Sequence, residues 1–206
     1  MADTLEMLRG GLIVSCQPKP PLADPEIVAA IAEAAVRAGA VGLRVDGGPN
    51  IAAVRRRVSV PVIGIAKHWS EGSAVYITPH LAAVHAVADA GAHIVALDGT
   101  AAPRPTGVTR RELIDAIHAR GALAMADVST VEEGIGAAAD GADVLASTLG
   151  GYTPGSRSLE GPDLALVDEL CRATRLPVIA EGRYTTPAEV DAAFALGALA
   201  VVVGRA

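Results

Sequence analysis

Residues 90–97 read AGAHIVAL, and variants of that pattern return as AGAVGLRV at 38–45, DGADVLAS at 140–147 and LGALAVVV at 196–203. Each copy joins a helix-stopping glycine (Gly39, Gly91, Gly141 and Gly197) to a mostly continuous apolar run. Runs without polar alternation mark strands covered on both faces, as in parallel sheets. The copies recur about every 50 residues, a period that holds two βα units. Between them fall further apolar runs, introduced by Val60-Pro61, Gly121-Ala122 and Leu176-Pro177.

Worked outward from this repeat, strands are expected at 12–17, 41–46, 62–67, 94–99, 123–128, 144–149, 178–183 and 200–205. Helices are expected near 25–38, 50–57, 78–90, 109–119, 130–139, 162–173 and 186–196. Asp24-Pro25, Thr78-Pro79 and Thr186-Pro187 each place a capping side chain before a first-turn proline. Thr130 and Glu133 have capping-box spacing. The pattern predicts an α/β fold, a (β/α)8 TIM barrel formed by 1–206 as one domain and lacking the final helix after strand eight. An open doubly wound sheet is the weaker alternative, because no Gly-rich dinucleotide fingerprint follows the first strand.

Composition narrows the function. Hydrophobic residues make up 51% of the 206 residues and aromatic residues 2%, so the core is expected to be Ala, Val, Leu and Ile. A net charge of -6 argues against a nucleic-acid partner, which needs a basic face, while a small anionic substrate stays compatible. Cys16 and Cys171 lack metal or redox spacing and read as reduced structural thiols. The first residues do not form a signal peptide, and the apolar runs fall far short of the roughly 20 residues that span a bilayer. The chain is therefore expected to be cytoplasmic, with no membrane partner.

Active sites in such barrels lie at the C-terminal ends of the strands. Those ends hold Ser15, Cys16 and Gln17, then Arg44 with Asp46, Lys67, Asp98, Asp127, Ser147 with Thr148, and Glu181 with Arg183. Doubly covered strands should not carry such groups without a reason, and a polar ring at one barrel mouth supplies it. Several have structural readings too. Asp127 could cap a helix or pair with Lys67, Arg44 could neutralise carboxylates, and Gln17 could bond loop backbone. Lys67 and Glu181 make a plausible acid–base pair across a partly dry pocket. Gly182 and Gly204 fall where many barrels bind phosphate through backbone N–H groups, with Arg183 and Arg205 as neighbouring cations or as surface residues. Trp69 reads as a lid, a sugar contact or a packing residue. The histidines form no metal constellation, so no metal is expected.

The ordered segments IVSCQ, GLR, PVIGIAK, VYITP, AGAHIVALD, MADVST, EEG, STLGGYT, PVIAEGR and AVVVG resemble the motif series of bacterial N-acetylmannosamine-6-phosphate 2-epimerases, from Leu12 to Gly204. The resemblance implies a ribulose-phosphate-binding-type barrel in sialic-acid and amino-sugar catabolism, acting without metal or redox cofactor. It implies Lys67 as the acid–base residue and Glu181 as its catalytic partner. Gln17 and Arg44 would hold the sugar, Asp127 would share the pocket, and Gly182 and Gly204 would belong to the phosphate end. The chain departs from the series at Arg205, where the family has a small residue, and stops before an ITRP-like segment and last helix, so it is expected to be C-terminally truncated relative to the family. A sugar-phosphate ligand and a homodimer are the expected partners. Two other functions remain open: a Schiff-base aldolase or lyase, which also needs a lysine at a strand end, and a non-catalytic sugar-phosphate binder, which the missing C-terminal segment favours.

Overall fold

A computed structural model describes residues 2–204. A short helix, α1 (Ala2–Glu6), precedes β1 (Leu12–Cys16). There follow α2 (Pro25–Arg37), β2 (Gly42–Asp46), α3 (Gly48–Arg55), β3 (Val62–Ile65), α4 (Leu81–Asp89) and β4 (Ile94–Asp98). Next come α5 (Arg110–His118), β5 (Leu123–Asp127), α6 (Val131–Ala139), β6 (Val144–Ala146), α7 (Leu164–Ala173), β7 (Val178–Glu181), α8 (Pro187–Ala195) and β8 (Ala200–Val203). Each strand runs parallel to the next, and β8 pairs with β1 through Leu12–Val201, Ile13–Val202 and Val14–Val203, closing the barrel in chain order. Helices α2 to α8 follow β1 to β7, and no helix follows β8 within the described residues. Arg205, expected to end strand eight, lies outside them.

Side-chain alternation divides the apolar runs between two cores. Leu43, Val45, Val62, Val95, Leu97, Ala124, Ala126, Leu145, Val178, Ala180 and Val201 pack outward beneath the helices. Ile13, Ile63, Ile65, Ile94, Ala96, Leu123, Met125, Val144, Ala146, Ile179, Ala200 and Val202 fill the barrel. The alternation of a strand carries each inward row onward to Ser15 and Gln17, Arg44, Lys67, Asp98, Asp127, Thr148 and Glu181. The barrel is thus apolar over most of its depth and polar at one end. Leu8, fully buried, joins the interior cluster at the other end, just after α1, a helix the sequence pattern did not reveal. Its Cδ2 would lie 2.4 Å from a Cβ at Gly42, so the glycine makes room for that plug.

The caps follow the sequence with one exception. Asp24 accepts from the Glu26 amide, and Thr130 with Glu133 and Thr186 with Glu189 form full capping boxes. Thr78 does not cap α4; His80 does, its Nδ1 accepting from the Ala83 amide. Thr78 serves the barrel wall instead. The described pairing of β3 with β4 stops after Ile63–Ile94 and Gly64–Val95, and residues 76–78 wedge into the gap. Lys67 bridges Ile77 in antiparallel fashion, the Thr78 amide donates to Ala66 O, and the Asp98 amide donates to Ile77 O. The Thr78 hydroxyl donates to Ala96 O at 2.6 Å and accepts from the Ala66 amide at 3.2 Å. Thr78 holds φ at 47°, an uncommon conformation for a β-branched residue that persists only where its surroundings enforce it.

Candidate active site

Arg44 is the centre of the polar mouth. It is 1% exposed, and a buried guanidinium must be paired. Its Nη1 and Nη2 donate to Asp127 Oδ1 at 3.0 Å and Oδ2 at 2.6 Å, a bidentate fork between β2 and β5. Nη1 also donates to Glu181 Oε2 at 2.6 Å, from the end of β7. Thr148, just beyond β6, sits 2.7 Å from Asp127 Oδ1 and 3.1 Å from Glu181 Oε2. Ser147 fixes the backbone below: its hydroxyl donates to Glu181 O and accepts from the Glu181 amide. One cation therefore faces two carboxyl groups in a nearly dry space.

That imbalance sets the protonation states. Burial pushes the Glu181 carboxyl up to about 7, with Asp127 adding repulsion and the charges of Arg44 and Lys67 opposing the rise; a Thr148 hydroxyl donated to the ionised form would oppose it as well. Burial disfavours charge on Arg44, but Asp127 and Glu181 more than offset it and hold the guanidinium charged. The Lys67 ammonium is lowered, first by burial and then by Arg44, against Asp46, Glu181 and Asp127, which raise it.

Lys67 stands beyond β3 at the mouth, open to solvent. Its amide donates to Asp46 Oδ1 at 3.0 Å and its Nζ to Gln17 Oε1 at 2.6 Å, while Gln17 Nε2 donates to Ser15 Oγ. The structure thus assembles Gln17 with Lys67, and Arg44 with Asp127 and Glu181. Asp127 pairs with Arg44 rather than Lys67, and Thr130, not Asp127, caps the following helix. Asp98 accepts from the amide and hydroxyl of Thr100 and so braces its own loop.

The other expected residues take no part in these side-chain contacts. Gly182, at φ 112°, and Gly204 terminate β7 and β8. A Cβ at Gly204 would come 3.0 Å from that of Ser15, so the chain end of β8 passes close to β1. The Arg183 guanidinium is engaged elsewhere: it donates to Gly161 O at 2.8 Å and Gly150 O at 2.9 Å and lies 4.7 Å from the centre of the Tyr152 ring. It fastens the β6–α7 loop. Arg205 lies outside the described residues. Trp69 is 75% exposed and stacks on Tyr76 at 3.9 Å, beside Lys67.

Among the described residues, no group of three or more His, Cys, Asp or Glu side chains is placed to hold a metal ion. A cleft of about 580 Å³ opens along α6 and α7 between Thr130 and Arg172, and none of Arg44, Lys67, Asp127, Thr148 or Glu181 lines it. Its Arg157 is already paired with Asp163 and Glu169, so the chemistry belongs to the barrel end. Sequence reasoning missed Tyr76 and Thr78 as parts of the site's frame. The signal was the apolar stretch at 75–77, too short and too close to Lys67 to be one of the eight strands.

The chain matches the model of the NanE family, described as "Putative N-acetylmannosamine-6-phosphate epimerase", over residues 28–206. A relative from Caldanaerobacter subterraneus subsp. tengcongensis, named as an N-acetylmannosamine-6-phosphate 2-epimerase of that kind, is 48% identical over 99% of this chain and 88% of its own length. One from Escherichia coli O9:H4, with the same name, is 52% identical over 96% of this chain and 85% of its own. The solved N-acetylmannosamine-6-phosphate 2-epimerase from Clostridium perfringens is 42% identical and superposes with a TM-score of 0.94, covering 97% of this chain and 88% of that one. With the ordered motifs and the closed barrel already in place, these matches make the chain a member of the N-acetylmannosamine-6-phosphate epimerase family.

Proposed function

We propose that this chain is an isomerase that interconverts N-acetylmannosamine 6-phosphate and N-acetylglucosamine 6-phosphate by proton transfer at C2. The observation that carries the reading is the barrel mouth itself: a lysine of lowered pKa stands beside a carboxyl group that is itself poised near neutrality. Family membership supplies the substrate. C2 of the open-chain sugar lies α to the aldehyde, so its proton can be removed to leave an enolate-like intermediate. Lys67 in its neutral form takes that proton, and its lowered pKa increases the neutral fraction at physiological pH. Glu181 exchanges protons with substrate oxygens. Reprotonation from the opposite face inverts the centre.

Arg44 and Asp127 act in this scheme by fixing Glu181, and Gln17 by orienting Lys67 toward the sugar. The phosphate is assigned to the ends of β7 and β8, where Gly182 and Gly204 bring bare backbone close to the mouth. Arg183 shapes that side by holding the neighbouring loop. Proton transfer of this kind requires neither metal nor redox cofactor. Among the described residues, no helix is long and apolar enough to cross a membrane. A cytoplasmic homodimer is the setting we infer, the dimer being favoured by exposed Ile27 and Ile31, one turn apart on α2. Light scattering that gave a monomer mass would remove the dimer.

The test is proton NMR of N-acetylmannosamine 6-phosphate with the protein in D2O. The gluco epimer should appear with deuterium at C2, and Lys67→Ala should abolish both. Borohydride with substrate should trap no lysine adduct; a trapped adduct would favour a Schiff-base enzyme instead.

A further inference from the structure

The contacts around Glu181 raise a question of proton count. Asp127 Oδ1 and Glu181 Oε2 are bridged twice, once by Arg44 Nη1 at 3.0 and 2.6 Å and once by Thr148 Oγ1 at 2.7 and 3.1 Å. The four atoms form a closed ring of four contacts between 2.6 and 3.1 Å. Arg44 Nη1 carries two protons and can fill both of its edges. The Thr148 hydroxyl carries one proton and can fill only one. With both carboxyl groups ionised, one O···O edge would be left without a proton. The ring is complete when one proton more is present, on the carboxyl pair. The shorter edge, to Asp127, is the one the hydroxyl fills as donor; were Glu181 protonated, the remaining edge would run from its carboxyl to the Thr148 lone pair.

Charge gives the same answer independently. Arg44 is 1% exposed and Asp127 fully buried, and a buried group of one guanidinium and two carboxyls is neutral only when the carboxyls share one proton. The groups facing Glu181 among the described residues are Arg44 from β2, Lys67 beyond β3, Asp127 from β5 and Thr148 beyond β6.

We propose that Thr148 is a positioning residue that joins Asp127 and Glu181 into one proton-sharing pair, donating to Asp127 and accepting from Glu181. The inference deepens the epimerase reading by giving Glu181 a place to send a proton. When substrate delivers a proton to Oε1, the proton on Oε2 passes to Thr148 Oγ1 while the hydroxyl's own proton passes to Asp127 Oδ1. One O–H bond breaks and one forms at each transfer, and the total charge of the pair changes only by the proton received from substrate. Glu181 then ends the transfer still singly protonated, with Asp127 as the acid.

The experiment is carbon NMR of full-length protein labelled at the Glu side-chain carboxyl, titrated with pH, with Glu181→Gln identifying the resonance. In Thr148→Val the acid form of Glu181 loses its acceptor, so its midpoint should fall by roughly half a unit or more. Thr148→Ser, which keeps the hydroxyl, should return it to the wild-type position. A midpoint that stays or rises in Thr148→Val, or a serine variant that behaves like valine, overturns the proposal, since a hydroxyl that only donates to an ionised Glu181 would give the opposite sign. Thr148→Ala provides the same readout should the valine variant not fold. The titration needs no turnover, so a wild type that fails to epimerise the sugar would sink the proposed function and leave this comparison standing. Where turnover is present, the pH profile of kcat should shift in the same direction as the NMR midpoint.

Discussion

Replacing Arg44 with Met removes the cation and leaves most of its volume filled. Asp127, fully buried, loses both arms of its fork, and Glu181 loses its strongest neutralising contact. Breaking a buried pair from one side costs about 3–5 kcal/mol, because the remaining charge keeps its desolvation penalty without compensation. For 206 residues, an unfolding entropy of about 2.1 cal/mol/K per residue makes each kcal/mol worth about 2.3 °C. The expected fall in Tm at pH 8 is therefore roughly 7–12 °C. The penalty depends on pH in a definite direction. Glu181 already has a folded pKa raised to about 7, above its unfolded value, and removing Arg44 raises it further. Its ionisation in the folded state therefore costs stability that is absent below the unfolded carboxylate range and grows as pH rises through the folded value. The gap between wild type and Arg44→Met should shrink markedly between pH 8 and pH 5. Urea unfolding followed by circular dichroism at several pH values measures it, with Arg44→Lys expected to fall between the two because it restores charge without the fork. A gap below about 1 kcal/mol, or one that does not change with pH, would refute the account of a buried cation neutralising two carboxyls.

Three further outcomes follow from other parts of the molecule. Thr78→Val deletes the hydroxyl that ties Ala66 and Ala96 together next to Lys67, and should lower kcat roughly tenfold with a smaller change in KM, Thr78→Ser recovering most of it; steady-state kinetics would expose the opposite split. C2 deuterium exchange should rise with pH through a midpoint below that of an ordinary lysine, because burial and Arg44 both favour the neutral amine; a midpoint at or above the ordinary value would remove Lys67 as the base. Gly64→Ala would bring a Cβ to 2.5 Å from Val87 and 2.8 Å from both Ala92 and Ile51, beneath two helices, and should cost about 1–3 kcal/mol in urea titration while leaving kcat/KM unchanged well below the melting temperature.

The barrel was legible because its signals are local and repeated. Each strand announces itself by a short apolar run, and most of the preceding turns by a glycine such as Gly91, at φ 94°, where a side chain would be strained, with Pro61 and Pro177 marking the starts of β3 and β7 instead. The capping boxes at Thr130 and Thr186 are equally local, spanning three residues each. The strands end sooner than the apolar pattern does: the pattern runs through Lys67, which stands beyond β3. Polar residues at a strand terminus follow the same alternation as the strand itself, so the pattern continues after the ladder has ended. Thr78-Pro79 has the form of a common helix opening, yet the Thr78 hydroxyl finds backbone partners just beyond β3 and within β4 instead.

The polar mouth was visible as a set of residues but not as a set of bonds. Alternation says that Arg44, Lys67, Asp127 and Glu181 point inward; it says nothing about which cation meets which carboxyl, since Arg44 and Asp127 are 83 positions apart and Arg44 and Glu181 137. Height along the barrel decides it. Arg44 lies within its strand, in register with Ser15 and Ile63, and so reaches across the interior to Asp127 and Glu181. Lys67 leaves the sheet after Ile65 and is held higher by Asp46 and by the 76–78 wedge, where Gln17 is the partner within reach. The lower cation is buried, permanently charged and structural in its contacts; the upper one keeps access to solvent and a lowered pKa. A single strand's length thus separates the residue that neutralises the site from the residue suited to take a proton in it.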